Sequence, residues 1–153
     1  MKKIAILSII ICVLTLSACS EVKGNVSEEN TNIYTYNLYY TEDCIEFKTK
    51  TIETDSHILS KSIIEELKKN KILDDEIELM SFDKTENSVT LNFSEEFLTQ
   101  LCKQGSSGEY YMIGSVVNTF LDAYDVTKVT LLVNNKEFES GHVFYNTPLG
   151  RYE

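Results

Sequence analysis

The hydrophobic pattern is most regular across residues 88–135, where the period of a strand and the period of a helix alternate. Val89, Leu91 and Phe93 alternate with polar residues, as in a strand with one buried face. Apolar residues at spacings of three and four then predict a short helix and, after it, a longer one. The buried face of the longer helix is predicted to consist of Ile113, Val116, Val117, Phe120, Leu121 and Tyr124.

A second strand closes this stretch. Residues 129–133 alternate between apolar and other positions, and Leu132 on the opposite face is apolar as well. A strand that is apolar on both faces is typical of the middle of a sheet, so we expect a central position. Asn134 and Asn135 follow, and because asparagine tolerates a positive φ, they predict a tight hairpin turn.

The two helices of this stretch carry start and stop signals. Ser94, followed by two glutamates, predicts an N-cap with favourable negative charge in the first turn. Gly105 is placed to end the short helix. Ser106 and Glu109 have the S-x-x-E spacing of a capping box, so they are predicted to cap the longer helix.

The flanking segments have a weaker but still periodic pattern. Residues 33–40 and 45–53 alternate as two strands. Residues 57–70 carry a helical apolar face, and residues 76–83 predict a further strand. We expect the last element of the chain to be a final strand or hairpin. The predicted class is α+β: a small, mainly antiparallel sheet with about three helices packed on one face, in a single domain.

The first strand is rich in tyrosine. Tyr34, Tyr36 and Tyr40 fall on one side of it, and Tyr39 falls on the other. Two interpretations are open for this pattern. More commonly, the tyrosine rings of such a strand are buried in the core and their hydroxyl groups reach water. The alternative is an aromatic platform that binds a glycan or a peptide.

The N-terminal segment has the pattern of a bacterial lipoprotein signal peptide. Two lysines precede an apolar run, residues 4–16, that is too short to span a membrane. The sequence LSAC that ends at Cys19 matches the lipobox. We therefore expect residues 1–18 to be removed and Cys19 to carry diacylglyceryl and acyl (palmitate) chains, which anchor the protein stably in the cell membrane. The polar, acidic residues 19–32 predict a flexible tether, and residues 33–153 predict an extracytoplasmic domain.

The charge balance limits the classes of partner. The chain has 24 acidic and 14 basic residues and a formal net charge of −10. This charge argues against nucleic acid and against direct binding to anionic lipid. Membrane attachment is therefore expected through the lipid anchor alone.

The residues that usually carry catalysis or bind metal give no strong pattern. His57 and His142 are the only histidines, and neither lies at a metal-ligand spacing. Cys102 and His142 could form a thiol catalyst, but a helical cysteine and a loop histidine without a nucleophile signature are the commoner explanation. A disulfide between Cys44 and Cys102 stays open. We predict no metal, no cofactor and no enzymatic activity.

Three segments, VTLNFSEEF, GSSGEYYMIGSVVNTF and VTKVTLLVNN, resemble the GerMN domain in their order and spacing. That domain occurs in sporulation and spore-germination lipoproteins of the bacterial cell envelope, and the resemblance covers residues 35–149. Asn92 stands where the family often has aspartate, and Asn134 and Asn135 replace an acidic-glycine turn. Both departures are local and leave the predicted fold intact.

The resemblance implies a lipoprotein of sporulation, germination or envelope assembly. Some members of the family resemble ring-building modules, which implies a non-catalytic domain with an extracytoplasmic protein partner, or a ring or homo-oligomer. On that view the binding candidates are Glu109, Tyr110 and Asn118, which are expected to be exposed and have the weakest structural explanation. A glycan- or peptide-binding envelope lipoprotein is the alternative.

Overall fold

The computed structural model describes residues 33–153. The predicted signal peptide and tether, including Cys19, lie outside the described residues. In chain order the elements are β1 (Tyr34–Tyr40), β2 (Lys48–Thr54), α1 (Leu59–Lys69), β3 (Leu79–Lys84), β4 (Ser88–Phe93), α2 (Glu95–Leu101), α3 (Ser106–Tyr124), β5 (Lys128–Val133), β6 (Phe138–Glu139) and β7 (Phe144–Tyr145). The predicted order of strands and helices and the α+β class are confirmed.

The strands form three small sheets. β1 and β2 make an antiparallel hairpin, and β6 pairs with β7 in the same sense. The third sheet has the order β3-β4-β5. Its β3–β4 pair is antiparallel, whereas β4 and β5 are parallel, with Ser88 opposite Lys128 and Phe93 opposite Val133. A parallel pair needs a long crossover, and α2 and α3 together supply it.

The hydrophobic core lies around α3 and β4. Val89, Leu91 and Phe93 of β4 are fully buried, which confirms the predicted apolar face, although Asn92 on the other face is buried as well. The Phe93 ring stacks on the Phe97 ring of α2 with centroids 4.3 Å apart. The predicted apolar face of α3 is buried as well, apart from Tyr124, which is half-buried. Each such side chain contributes roughly 1.5–3 kcal/mol to stability through its removal from water.

Polar side chains of α3 cover the outer edge of β1. The backbone N–H of Asn37 donates to Asp122 Oδ2 at 2.8 Å, and the N–H of Tyr39 donates to Thr119 Oγ1 at 3.0 Å. The Thr119 hydroxyl in turn donates to the Ser115 carbonyl at 2.7 Å. Because these groups satisfy the strand's free donors, this edge is closed by a helix rather than by another strand.

The expected central position of β5 is wrong, because β4 is the middle strand and β5 lies at an edge. The chain that follows β5 covers this edge at two isolated bridges: Val129 and Leu149 exchange backbone hydrogen bonds of 2.9 and 2.7 Å, and Val133 and Lys136 exchange two of 2.9 and 3.0 Å. Leu132 is only half-buried, so the second face of β5 is not fully covered and does not require a central position. The turn after β5 is as predicted, with φ of 49° at Asn134 and 62° at Asn135.

The helix signals are confirmed only in part. Ser94 occupies the N-cap of α2, but its hydroxyl accepts a hydrogen bond from the Glu78 N–H at 3.1 Å and does not cap the helix. Gly105 does not end α2, which stops at Leu101, and is instead the N-cap of α3. The capping box of Ser106 and Glu109 is not formed, since Ser106 already lies within the first turn and Glu109 is turned into the interior.

None of the helices within residues 33–153 is long and apolar enough to cross a membrane.

Candidate functional site

A buried polar cluster forms where the first turn of α3 meets the β6–β7 hairpin. Glu109 is only 2% exposed, and its Oε1 accepts two hydrogen bonds. The Ser140 hydroxyl donates one at 2.5 Å, and the Tyr145 hydroxyl donates the other at 2.6 Å. The second carboxylate oxygen, Oε2, is buried and has no hydrogen-bond partner among the described residues. Negative charge is favoured here because the N-terminal end of a helix carries partial positive charge.

The loop between β6 and β7 holds Ser140 in place. The Ser140 Oγ accepts hydrogen bonds from the backbone N–H groups of His142, at 3.2 Å, and Val143, at 3.1 Å. The Ser140 N–H donates to the Val143 carbonyl at 3.1 Å, which closes the turn. The hydroxyl is thus fixed by two donors while it donates its own proton to Glu109, so the loop presents one oriented hydrogen bond to the carboxylate.

Two tyrosines of the cluster have raised pKa values. Burial, the hydrogen bond to Glu109 and the charge of Glu109 all raise the pKa of Tyr145 far above its ordinary value of 10.0. Burial, with smaller contributions from Tyr110 and Glu109, raises the pKa of Tyr152 to about 12. Both hydroxyl groups therefore stay protonated, and Tyr145 remains a donor, across the physiological range.

A cavity of about 130 Å³ opens beside this cluster. Its walls are formed by Ser106, Glu109, Tyr110, His142, Val143, Tyr145 and Tyr152. The rings of Tyr110 and Tyr152 meet edge to face, with centroids 5.0 Å apart. The cavity thus combines aromatic walls with one buried carboxylate.

Of the three predicted binding candidates, two are not exposed. Glu109 is buried in the polar cluster, and Asn118 is 1% exposed. The Asn118 side chain holds the C-terminal segment: its Nδ2 donates to the Tyr152 carbonyl and its Oδ1 accepts from the Tyr152 N–H, both at 2.9 Å. The expected exposure is therefore wrong for these two residues, because α3 is covered on most of its surface.

Tyr110 is exposed as expected, at 40%. Its hydroxyl donates to the Glu153 carbonyl at 2.8 Å, and its ring borders the cavity that Glu109 lines. The structure therefore places Glu109 and Tyr110 in the wall of one cavity. Asn118 supports this wall indirectly, because it holds the backbone of Tyr152. A role in binding stays a prediction for all three.

The cysteines and histidines do not form a joint site. Among the described residues Cys44 and Cys102 form no disulfide, and both are exposed. The Cys102 thiol donates to the Ser140 carbonyl at 3.3 Å. Within residues 33–153 no hydrogen bond joins Cys102 to His142, and no group of three or more potential ligands could hold a metal ion.

A second candidate surface is the groove between α1 and β3, with a volume of about 500 Å³. Ile64 and Ile77 form part of its floor, and Met80 on β3 is 53% exposed at its rim. Within the described part of the chain, β3 pairs only with β4, so its other edge is free. A free strand edge beside apolar side chains can pair with an extended segment of another chain.

The outer edge of β2 differs in character. Lys48, Lys50 and Glu53 place charged side chains along most of this strand, whereas in β3 the charged residues are confined to the last two positions, Asp83 and Lys84. Charged residues on an edge strand oppose pairing with another strand. On chemical grounds the β3 edge is therefore the better candidate for contact with a partner.

The family model “Germane: Sporulation and spore germination” matches residues 25–139, about three quarters of the chain. The chain belongs to the Germane family. This confirms the resemblance to GerMN domains that the three sequence segments carry. No curated protein matches the sequence.

Two solved structures similar to this Germane domain share its fold. One is a candidate lipoprotein from Clostridium perfringens, with a TM-score of 0.54 and 20% identity over 78% of this chain and 87% of that one. The other contains the tandem GerMN domains of the sporulation protein GerM from Bacillus subtilis. That structure has a TM-score of 0.57 and 22% identity over 86% of this chain, which spans 50% of the tandem. The Germane chain thus corresponds in length to one domain of the pair.

Sequence reasoning did not identify Ser140, Tyr145 or Tyr152 as neighbours of Glu109. They lie 31 residues or more further along the chain, so no local spacing connects them. One signal was available. Glu109 precedes Ile113 by four residues and therefore continues the apolar stripe of the long helix.

Proposed function

We propose that this Germane protein is a lipid-anchored, extracytoplasmic interaction module of the bacterial cell envelope that acts in sporulation or germination without catalysing a reaction. Its family and the lipoprotein-like structural neighbour support the setting. The lipobox at Cys19 supports the anchor. The observation that carries the interaction role is the free edge of β3 beside the α1–β3 groove.

The proposed occupant is an extended segment of an extracytoplasmic partner protein. Backbone groups of such a segment would pair with the outer edge of β3, and its apolar side chains would enter the groove beside Met80. A bulge between Leu79 and Ser81 interrupts the pairing of β3 with β4, which limits how long a partner strand can be. A second copy of the chain in a ring or homo-oligomer is the competing occupant.

Two alternatives have less support. The tyrosine strand β1 is a poor platform for a glycan or peptide, because Tyr36 is buried and Tyr39 is occupied by Arg151. The Arg151 guanidinium lies 5.3 Å from the Tyr39 ring centre and donates to its hydroxyl at 2.7 Å. A thiol enzyme is opposed by the use of the Cys102 thiol as a donor to a backbone carbonyl.

The test is site-specific photocrosslinking in growing and sporulating cells. A photoreactive amino acid replaces Met80 at the β3 edge, and in a matched control it replaces the exposed Lys50 on β2. We expect a partner to be captured from position 80 during one stage and not from position 50. Mass spectrometry then separates a different protein from a second copy of this chain.

Equal capture from both positions, or none from position 80 in either stage, would overturn the proposed docking edge. The anchor is tested separately with Cys19→Ala. That variant is expected to lose incorporation of labelled palmitate and to leave the membrane fraction. Retention of the label in Cys19→Ala would reject lipidation at this cysteine.

A further inference from the structure

The Glu109 carboxylate has one oxygen without a hydrogen-bond partner in residues 33–153. Oε1 already accepts hydrogen bonds from Ser140 and Tyr145, whereas Oε2 is buried and unpaired. A buried acceptor without a donor is unfavourable and is uncommon in native proteins. Since Glu109 also lines the cavity beside α3, the unpaired oxygen indicates a group that donates to it from that cavity.

The size of the cavity restricts what can enter. Its volume of about 130 Å³ is well below the roughly 300–1,000 Å³ of pockets for drug-sized ligands. It can therefore receive one side chain or a short alkyl chain, but not a disaccharide. Water alone could also fill it, and the experiment below separates that case.

The chemistry of the walls favours a cation. The rings of Tyr110, Tyr145 and Tyr152 surround the space above the carboxylate, and the electron-rich faces of such rings attract positive charge. Of the residues that the structure describes, His142 is the one basic side chain in the cavity wall, which contains neither lysine nor arginine, and the chain as a whole is acidic. A cation that entered here would lie beside the Glu109 carboxylate, between aromatic walls.

The geometry of the carboxylate distinguishes between the two common cations. A guanidinium group binds a carboxylate best through both oxygens at once, but Oε1 is already occupied by two donors. An ammonium group is compact and can bind a carboxylate through one oxygen alone. The remaining oxygen therefore suits an ammonium group.

We propose that the Glu109 cavity binds a primary alkylammonium group of the kind that a lysine side chain carries. Glu109 Oε2 accepts the ammonium proton, and Tyr110 and Tyr152 enclose the alkyl chain. The site is separate from the β3 edge and does not depend on it. It gives the protein a second, lysine-selective contact.

The test uses the full-length chain in non-ionic detergent micelles, with ¹³C-labelled tyrosine rings observed by NMR. The signals of Tyr110 and Tyr152 are assigned from their phenylalanine variants. n-Butylammonium is titrated against n-butanol, which has the same chain length and no charge. We expect saturable shifts of these two signals with n-butylammonium and none with n-butanol.

Two variants locate the site. Glu109→Gln is expected to weaken n-butylammonium binding at least about tenfold, as for the loss of a hydrogen bond to a charged group. Tyr110→Leu, at a position that is 40% exposed, is expected to weaken it about two- to fivefold. If Glu109→Gln fails to fold, the Tyr110→Leu result decides.

The source of the ammonium group is tested with Nα-acetyl-lysine N-methylamide and glycine N-methylamide. We expect the first to bind through its side chain and the second, which offers only an α-amino group, to bind at least several-fold more weakly. Equal shifts with n-butanol, unchanged affinity in Glu109→Gln or in Tyr110→Leu, or a preference for the glycine compound would each overturn the proposal.

Discussion

The Tyr145 hydroxyl donates a hydrogen bond to Glu109 Oε1 across 2.6 Å, and both side chains are buried. The two residues are 36 positions apart and belong to β7 and α3. Ser140 donates to the same oxygen from the other end of the hairpin. One carboxylate oxygen therefore fixes the short β6–β7 hairpin against the start of the longest helix.

Removing the Tyr145 hydroxyl should show how much its hydrogen bond to Glu109 contributes to stability. Tyr145→Phe leaves the ring in place and deletes a donor to a buried carboxylate. We expect the free energy of unfolding to fall by about 1.5–3 kcal/mol, as for hydrogen bonds to charged groups. Urea unfolding of both proteins measures it. Tyr40→Phe, at a half-buried tyrosine without such a bond, serves as control and should change stability by less than about 0.5 kcal/mol. Equal losses in the two variants would show that the Glu109 contact contributes nothing.

Stability should decrease at alkaline pH because of the shifted tyrosines. Above pH 10 an unfolded tyrosine loses its proton, whereas Tyr152 in the folded state keeps its proton up to about pH 12 and Tyr145 keeps its proton still longer. The folded state then binds more protons than the unfolded state, so the free energy of unfolding falls as pH rises through this window and is unaffected below it. Urea midpoints between pH 8 and pH 11.5 test this. Tyr145→Phe should flatten the decline, and a decline of the same slope in the variant would contradict the assignment to Tyr145.

Gly114 allows a close contact in the middle of α3. A Cβ atom at this position would lie 2.3 Å from Phe47 Cζ and 3.0 Å from Tyr152 Cβ. Gly114→Ala should therefore destabilise the protein by about 1–3 kcal/mol through overpacking, although alanine favours helix. Thermal unfolding measures the change. Gly105→Ala is the matched control, since nothing lies within 4 Å of its Cβ and its φ of −75° suits any residue. A stabilised Gly114→Ala variant would mean that Phe47 and Tyr152 move aside at no cost.

The C-terminal segment should be released when Asn118 is truncated. Asn118→Ala removes both hydrogen bonds to the Tyr152 backbone and leaves two backbone groups without partners. We expect a loss of about 1–3 kcal/mol and faster amide exchange in residues 146–153 than in the rest of the domain. Hydrogen exchange with mass spectrometry gives both the size and the location. Asn146→Ala, at an exposed asparagine of the same segment, should leave the exchange pattern unchanged. Uniform acceleration over the whole chain would point to global destabilisation instead of local release.

The two departures from the family pattern contact each other. Asn92 Oδ1 accepts from the Asn135 N–H at 2.7 Å, and Asn92 Nδ2 donates to Asn135 Oδ1 at 3.0 Å. Asn92→Asp should keep the first bond and place two oxygens together at the second, at a cost of about 1–2 kcal/mol. In an Asn135→Gly background, where glycine suits the φ of 62°, most of that cost should vanish. A double-mutant cycle in urea measures the coupling, and additive effects would show that the two positions are independent.

Much of the fold follows from local patterns. The alternation in β4, the helical stripe of α3 and the paired asparagines after β5 each specify a local conformation, because side-chain direction and permitted φ depend only on nearby residues. The order of elements and the α+β class follow from these. The resemblance to the GerMN domain rests on the same segments, and the match of the family model confirms it.

Other features had no local cause and were predicted wrongly or not at all. Apolar residues on both faces of β5 suggested a central strand, but the side chains on the faces of a strand do not specify what lies along its edges, and Leu132 is only half-buried. The S-x-x-E spacing of Ser106 and Glu109 fits a capping box, yet Glu109 forms its bonds with Ser140 and Tyr145. A carboxylate in a first turn can satisfy either arrangement, and only the position of the distant hairpin decides between them.

The sequence by itself predicts the lipid anchor at Cys19. It determined the class of the domain, its family and the conformation of its main segments, because these depend on short-range patterns and on composition. The tertiary structure alone decided which polar groups are buried together. Within residues 33–153 it placed Glu109 beside a small aromatic cavity with one oxygen unpaired, left the outer β3 edge open and covered the β1 edge with α3. The physical reason is that hydrogen bonds and cavities bring together residues that are far apart in the chain. The spacing of residues within one segment does not specify these tertiary contacts.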